Sequence, residues 1–283
     1  MIRVEHPGLY SSIQDQGRSG QQEYGVPVSG VMDAFSASLA NTLVGNQQGE
    51  AVIEMTLQGP KLRFESPAMV SVVGANFTPV INGHLNHMNR AFNLKEGDVL
   101  SFERPTRGIR AYIAIAGGLN VDDVMGSKSM FAGITNQSRL QKNDCISIKN
   151  VKRDSITRNA GIKMKDRMTQ QILHVYEGPE FELLTDLQKE AIMATNFTIS
   201  NENNRMAYQL IERIPNKLPE LITSMVMPGT VQLTPAGKII ILMRDCQTTG
   251  GYPRILQLSE ESINLLAQKF SQDTIRFSLK NYM

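Results

Sequence analysis

Short β-branched or aromatic runs, each closed by turn-forming residues, recur in both halves of this 283-residue chain, and few helical periods separate them. Residues 69–73, 80–81, 99–102 and 111–115 read as strands in the N-terminal half, and 172–176, 197–199 and 238–242 in the C-terminal half. A doubly wound α/β sheet needs a helix after nearly every strand, so the pattern predicts a mainly β fold of two compact barrels or sandwiches. Asn82-Gly83 supplies a hairpin turn, because both positions tolerate positive φ, and Glu96-Gly97-Asp98 supplies a second tight turn. One helix is expected after Asp33, whose carboxylate caps it, with Phe35, Leu39 and Leu43 along its buried face and an end before Gly45-Asn46. Another helical stretch runs from Ser259 through Leu265 to Phe270.

The length suits two domains. The first is expected over 1–150 and the second over 171–283, joined through 151–170, where the sequence turns polar and basic without an apolar period. Lys plus Arg total 29 against 27 for Asp plus Glu, and no run of five like charges occurs, so neither a nucleic-acid tract nor a polybasic membrane anchor is expected. The longest apolar run, 239–243, is far below the roughly 20 residues that span a bilayer, and the first residues lack an apolar targeting core, so a cytoplasmic location is expected. Cys145 and Cys246 lack the paired spacing of a zinc site or disulfide framework and suit thiols in a reducing compartment. His84 and His87, three apart on a strand, point to opposite faces, so no metal site is expected.

Two polar clusters stand out. Gln14, Asp15, Arg18, Ser29 and Asp33 lie in a stretch held in loops by glycine or proline at positions 17, 20, 25, 27 and 30. There Asp15 and Arg18 can pair and present donors to a carbonyl or phosphate, although the same composition also suits a solvated loop. The second cluster, Arg244-Asp245-Cys246-Gln247-Thr248-Thr249-Gly250-Gly251-Tyr252-Pro253, follows directly on an apolar strand. Asp245 offers an acceptor or general base, Gln247 reads an amide with both donor and acceptor, and Gly250-Gly251 lets backbone approach a ligand; a strand-ending turn is the alternative. Arg205 and Gln232 sit near further turn residues. There is no Gly-x-Ser-x-Gly elbow and no phosphate-binding loop with its Lys, so a self-contained hydrolase or nucleotidase is not visible.

Motifs in order along the chain resemble the biotin-dependent carboxyltransferase-like family, which takes in allophanate hydrolase subunit 2, the C-type subunit of 5-oxoprolinase and the KipI antagonist. They are Ile13-Gln14-Asp15-Gln16-Gly17-Arg18, Gly25-Val26-Pro27-Val28-Ser29-Gly30-Val31-Met32-Asp33, Ala40-Asn41-Thr42-Leu43-Val44-Gly45-Asn46, Ala116-Gly117-Gly118-Leu119, Met125-Gly126-Ser127-Lys128-Ser129 and Gln247-Thr248-Thr249-Gly250-Gly251-Tyr252-Pro253. The resemblance implies a pair of cyclophilin-like β-barrels with a site between them.

It also implies a subunit of an ATP-dependent 5-oxoprolinase that opens 5-oxoproline to glutamate with an A-type subunit and a KipI-like B-type subunit, ATP binding needing the partner. Asp15, Arg18, Arg205 and Asp245 would then serve catalysis, the two arginines steadying phosphate charge. Gln14, Ser29, Asp33, Gln232, Gln247, Thr248, Thr249, Gly250, Gly251 and Tyr252 would hold the amide substrate. Two other readings stand beside it: a carboxyltransferase subunit acting on urea or another amide, with biotin on a separate carrier protein, and a non-catalytic protein that antagonises a kinase inhibitor. The chain departs from the family pattern at Asn203-Asn204-Arg205-Met206-Ala207 (usually Ser-Asp-Arg-Met-Gly), at Thr223-Ser224-Met225-Val226 (usually Ser-Glu-Gly-Val), and at Cys246, where Arg is common.

Overall fold

The computed structural model describes residues 1–149, 162, 167–219 and 221–280. The connection expected over 151–170 lies mostly outside the described residues. The chain divides into two compact units, one of Met1–Arg18 with Ser29–Asp166 and the other of Ser19–Val28 with Arg167–Met283. The architecture is mainly β, as the strand runs predicted.

In the first unit a seven-stranded sheet runs in the order Leu119–Asn120, Cys145–Ile148, Ile2–His6, Lys61–Phe64, Val99–Phe102, Pro79–Ile81, His84–Leu85. A five-stranded sheet runs Tyr10–Gln14, Val52–Thr56, Arg110–Ile115, Ala68–Gly74, Ala91–Leu94. All six residues of the central strand Arg110–Ile115 are buried, because both of its faces are covered. Ala111, Ile113 and Ile115 join Ile2, Leu62 and Phe64 in a core shared by the two sheets. Tyr112 and Ala114 point the other way, into a second core with Val52, Val73 and the helix Ala34–Leu43. The hairpin forms where Asn82-Gly83 predicted it, with φ of 50° and 86° at the two positions, joining Pro79–Ile81 to His84–Leu85.

The helix Ala34–Leu43 begins after its Asp33 cap and ends before Gly45, yet it buries a different face from the one the sequence suggests. Ser36, Ala37, Ala40, Asn41 and Leu43 are inside, while Phe35 is 44% exposed and Leu39 only partly buried. Small residues let the helix lie close on the sheet, close enough for the Ser71 hydroxyl to donate to the Ala40 carbonyl at 2.6 Å. A bulky Phe35 on that face would hold the helix off the sheet.

In the second unit seven strands close into a barrel in the order Ile172–Glu177, Arg254–Leu258, Thr230–Leu233, Lys238–Leu242, Ala207–Arg213, Phe197–Asn203, Thr274–Leu279. Closure comes from parallel pairing of Ile172–Glu177 with Thr274–Leu279. The expected C-terminal helix spans Glu260–Leu266, capped by the Ser259 hydroxyl, and stops short of Phe270. The helix Asp186–Ala194 is absent from the sequence reading, although Thr185-Asp186-Leu187-Gln188 writes its signature. The Thr185 hydroxyl accepts from the Gln188 amide at 3.3 Å while the Gln188 side chain accepts from the Thr185 amide at 2.9 Å. Among the described residues no helix is long and apolar enough to cross a membrane.

Candidate functional site

The N-terminal polar cluster is organised around the carboxylate of Asp15. It accepts from the hydroxyls of Ser127 and Ser129 at 2.5 and 2.6 Å, from the Lys128 amide at 2.6 Å and from the Gly17 amide at 2.9 Å. Burial by itself raises the carboxyl's pKa, but the two serine hydroxyls and two amides outweigh it and hold the group below its ordinary value. Asp15 thus fastens residues 127–129 to the loop after the edge strand Tyr10–Gln14. The Arg18 guanidinium, wholly buried, donates to the carbonyls of Val124 and Ser129 and reinforces the same junction. Gln14 does likewise, its amide donating to the Ser12 hydroxyl at 2.9 Å and the Met130 carbonyl at 3.1 Å. Ser127 and Ser129 were legible in the Met125 to Ser129 motif, but their shared partner Asp15 is 112 and 114 positions away.

Residues 29–33 lie on the same face of the five-stranded sheet as Ser12, Glu54 and Tyr112, which neighbour one another across three strands. Three successive amides of this loop are held by three different groups. Val31 donates to the Asp15 carbonyl at 2.9 Å, Met32 to the Glu54 carboxylate at 2.8 Å and Asp33 to the Tyr112 hydroxyl at 2.7 Å. Just before them the chain is left-handed, with φ of 57° at Ser29 and 89° at Gly30. A Cβ on Gly30 would meet the Gln16 carbonyl carbon and the Gly17 nitrogen at 2.9 Å, so only glycine fits there. Ser29 is 1% exposed and its hydroxyl has no hydrogen-bond partner among the described residues. The Asp33 carboxylate is engaged as helix cap, accepting from the Ser36 amide and hydroxyl at 3.1 and 2.7 Å. Glu54 and Tyr112 were missed by sequence reasoning; the available signal was a carboxylate inside the apolar run Val52-Ile53-Glu54-Met55.

The remaining N-terminal motifs brace this cluster. Asn46 donates to the Ile115 carbonyl and accepts from the Gly117 amide, each at 2.8 Å, tying the end of the helix to the central strand. A Cβ on Gly118 would meet the Glu50 carboxyl carbon at 2.5 Å; without it Glu50 packs there and holds Lys128 at 2.7 Å and Lys149 at 3.2 Å. Burial opposes ionisation of Glu50, but the bonds from the two lysines outweigh it and keep its pKa low.

In the barrel unit Arg205 and Asp245 come together. The guanidinium binds the carboxylate through two parallel bonds of 2.7 and 3.0 Å, with side-chain exposures of 8% and 11%. Backbone bonds from Asp245 to Arg205 and from Met243 to Met206 complete the strap. The Gln247 to Pro253 segment is pinned by residues 224–226. Ser224–Met225 pairs with Thr249–Gly250, and the Val226 amide donates to the Thr248 carbonyl at 3.0 Å. Gln232, 2% exposed, reaches the Tyr252 carbonyl at 3.4 Å, and a Cβ on Gly250 would lie 2.6 Å from its side-chain nitrogen. Gln247 and Thr248 are half-buried, Thr249 is exposed and Tyr252 is 39% exposed, so these side chains remain open to solvent at one edge. Arg254 binds Glu180 at 2.7 Å and the Met225 carbonyl at 2.9 Å, a support that sequence reading did not single out.

Two of the positions that differ from the expected pattern, Ala207 and Cys246, meet in one place. Cys246 packs with Val226, Leu242, Ala207 and Ile240 in a small apolar cluster. Burial, and then the charge of Asp245, push its thiol up to about 12. It is a packing residue at neutral pH, not a thiolate nucleophile.

A family model described as the carboxyltransferase domain, subdomains A and B, matches residues 24–279. The chain belongs to that family. The C-type subunit of 5-oxoprolinase from Escherichia coli (strain K12) is 32% identical over 274 residues, covering 95% of this chain and 87% of that protein. Urea amidolyase of Lachancea kluyveri is 40% identical over 132 residues, which are 46% of this chain and 7% of that protein. Among solved structures, that of TTHA0988 superposes with a TM-score of 0.90 at 26% identity, covering 98% of this chain and 55% of that one. The chain therefore spans nearly all of the Escherichia coli protein but only about half of that solved chain.

Proposed function

We propose that this chain is the C-type subunit of a cytoplasmic, ATP-dependent 5-oxoprolinase assembly, acting with an A-type and a KipI-like B-type subunit to open 5-oxoproline to glutamate. The observation that carries the reading is the span of the sequence likeness: it takes in 95% of this chain and 87% of the Escherichia coli C-type subunit, whereas the aligned sequence of Lachancea kluyveri urea amidolyase takes in 46% of this chain, although the fold of Kluyveromyces lactis urea amidolyase matches 98% of it with a TM-score of 0.86. A lactam carbonyl resists water. ATP supplies the activation by phosphorylating the lactam oxygen with release of ADP; one water adds to that carbon and the C–N bond breaks to give the free amine and an acyl phosphate, which a second water hydrolyses to the carboxylate and phosphate.

In this assignment the chain's own task is to hold the lactam. Ser29 brings a buried hydroxyl without a partner among the described residues, and Gln247, with an amide that both donates and accepts, suits the ring N–H and C=O. Arg18 and Arg205 hold loops, through carbonyls and through Asp245 respectively, so phosphate charge is assigned to the partner subunits. The test is reconstitution with A-type and B-type partners. Glutamate release from 5-oxoproline and ATP is expected, falling at least tenfold with Gln247→Ala; no release from the wild-type assembly sinks the reading.

The family's description and the 40% identity to urea amidolyase favour a second reading, transfer of a carboxyl group from biotin on a separate carrier to an amide nitrogen. Carboxylation of urea with a biotinylated carrier, and no glutamate release, is the result that would establish it instead.

A further inference from the structure

We propose that Tyr112 is a positioning residue for substrate binding: its hydroxyl fixes the Asp33 amide so that Ser29 is held left-handed with its own hydroxyl turned to the lactam. The substrate's identity here rests on the 5-oxoprolinase reading. Tyr112 lies on the central strand of the five-stranded sheet, fully buried, and accepts from the Asp33 amide at 2.7 Å. Asp15 and Glu54 hold the two preceding amides, so residues 31–33 cannot shift along the sheet without breaking all three bonds. That fixed stretch begins two residues after Ser29, whose φ of 57° is unfavourable for a residue with a Cβ and is kept only because the chain on its far side is locked. A buried hydroxyl lacking any protein acceptor or donor is itself unfavourable, by roughly 1–3 kcal/mol. A strained backbone that delivers such a hydroxyl is explained by a ligand group that completes it. A hydrogen bond from Ser29 to the lactam carbonyl, or from the lactam N–H to Ser29, would do so.

Tyr112→Phe removes one oxygen and leaves the ring in the core between strand and helix, so it tests the role with little effect on the fold. In the full chain assembled with its partners, Tyr112→Phe and Ser29→Ala are each expected to raise KM for 5-oxoproline about tenfold with kcat changed less than about threefold. The double variant is expected to be no worse than Ser29→Ala alone, since both changes act through one hydroxyl. An unchanged KM in Tyr112→Phe, or effects that multiply in the double variant, overturns the proposal. If the wild-type assembly releases no glutamate, the functional reading fails, and amide hydrogen exchange decides the positioning role by itself. Exchange at Asp33 at least tenfold faster in Tyr112→Phe, with Ile113 unchanged, supports it; unchanged exchange at Asp33 overturns it.

Discussion

The two polar clusters are held by opposite means. In the first unit a single carboxylate, Asp15, gathers two hydroxyls and two amides from segments more than a hundred positions apart, and three loop amides are fixed by three separate acceptors. In the barrel unit one bidentate ion pair and a two-residue ribbon carry the equivalent load. The first arrangement is rigid because removing any member leaves several buried groups unsatisfied; the second concentrates its strength in one pair and leaves Thr249 and Tyr252 open. A many-sided network suits presenting a group in fixed geometry, and a single strap suits an edge that adapts to what it meets.

The sharpest way to break this contrast is Asp15→Ala. With four donors orphaned it is expected to destabilise the chain by about 4 kcal/mol, read from denaturant unfolding, and a loss below about 1 kcal/mol would reduce the network to decoration. The same carboxylate gives a pH signature. Because its folded pKa lies below the unfolded value, its contribution is present above the unfolded pKa and is lost as pH falls through the folded one. The stability difference between wild type and Asp15→Asn should therefore shrink below about pH 4.

Gly30→Ala comes next, at about 3 kcal/mol, because it combines a φ of 89° with a Cβ 2.9 Å from backbone atoms. In the barrel unit Arg205→Lys is expected to cost about 2 kcal/mol, since a lysine cannot reproduce two parallel bonds to Asp245. In the reconstitution that tests the 5-oxoprolinase reading, Arg205→Lys should lower glutamate release less than Gln247→Ala does. A larger fall would move Arg205 from strap to chemistry. The smallest effect is in thiol chemistry: at pH 8 a maleimide should label exposed Cys145 quickly and buried Cys246 only after unfolding.

How much of this was legible in the sequence depended on range. Strands such as Val99–Phe102 and Lys238–Leu242 lie where their β-branched runs place them, and Asn82-Gly83 turns where its backbone freedom requires. Local signals suffice for these. The face of the helix Ala34–Leu43 was misread because periodicity reports hydrophobicity, whereas close packing on the sheet selects for smallness at Ala37 and Ala40. Asp186–Ala194 escaped because only Ile192 on it is buried, leaving its capping box as the sole strong sign. Asp15, Arg18, Arg205 and Asp245 were each marked as important, but Arg18 and Arg205 act on partners that only folding brings near, Ser129 and Asp245. Glu54 and Tyr112 read as ordinary strand residues until the loop 29–33 is laid upon them.

The parallel pairing of Ile172–Glu177 with Thr274–Leu279 has a bearing on how the protein is made. As the chain leaves the ribosome, every strand of the two sheets in the first unit has emerged once residue 148 is out. The barrel cannot shut until residue 279 follows, so for the length of that wait its opening strand presents an unmatched edge. A frameshift or nonsense codon a few positions before that strand would leave an open sheet with a sticky rim, and such fragments should be found in inclusion bodies and not as working half-proteins.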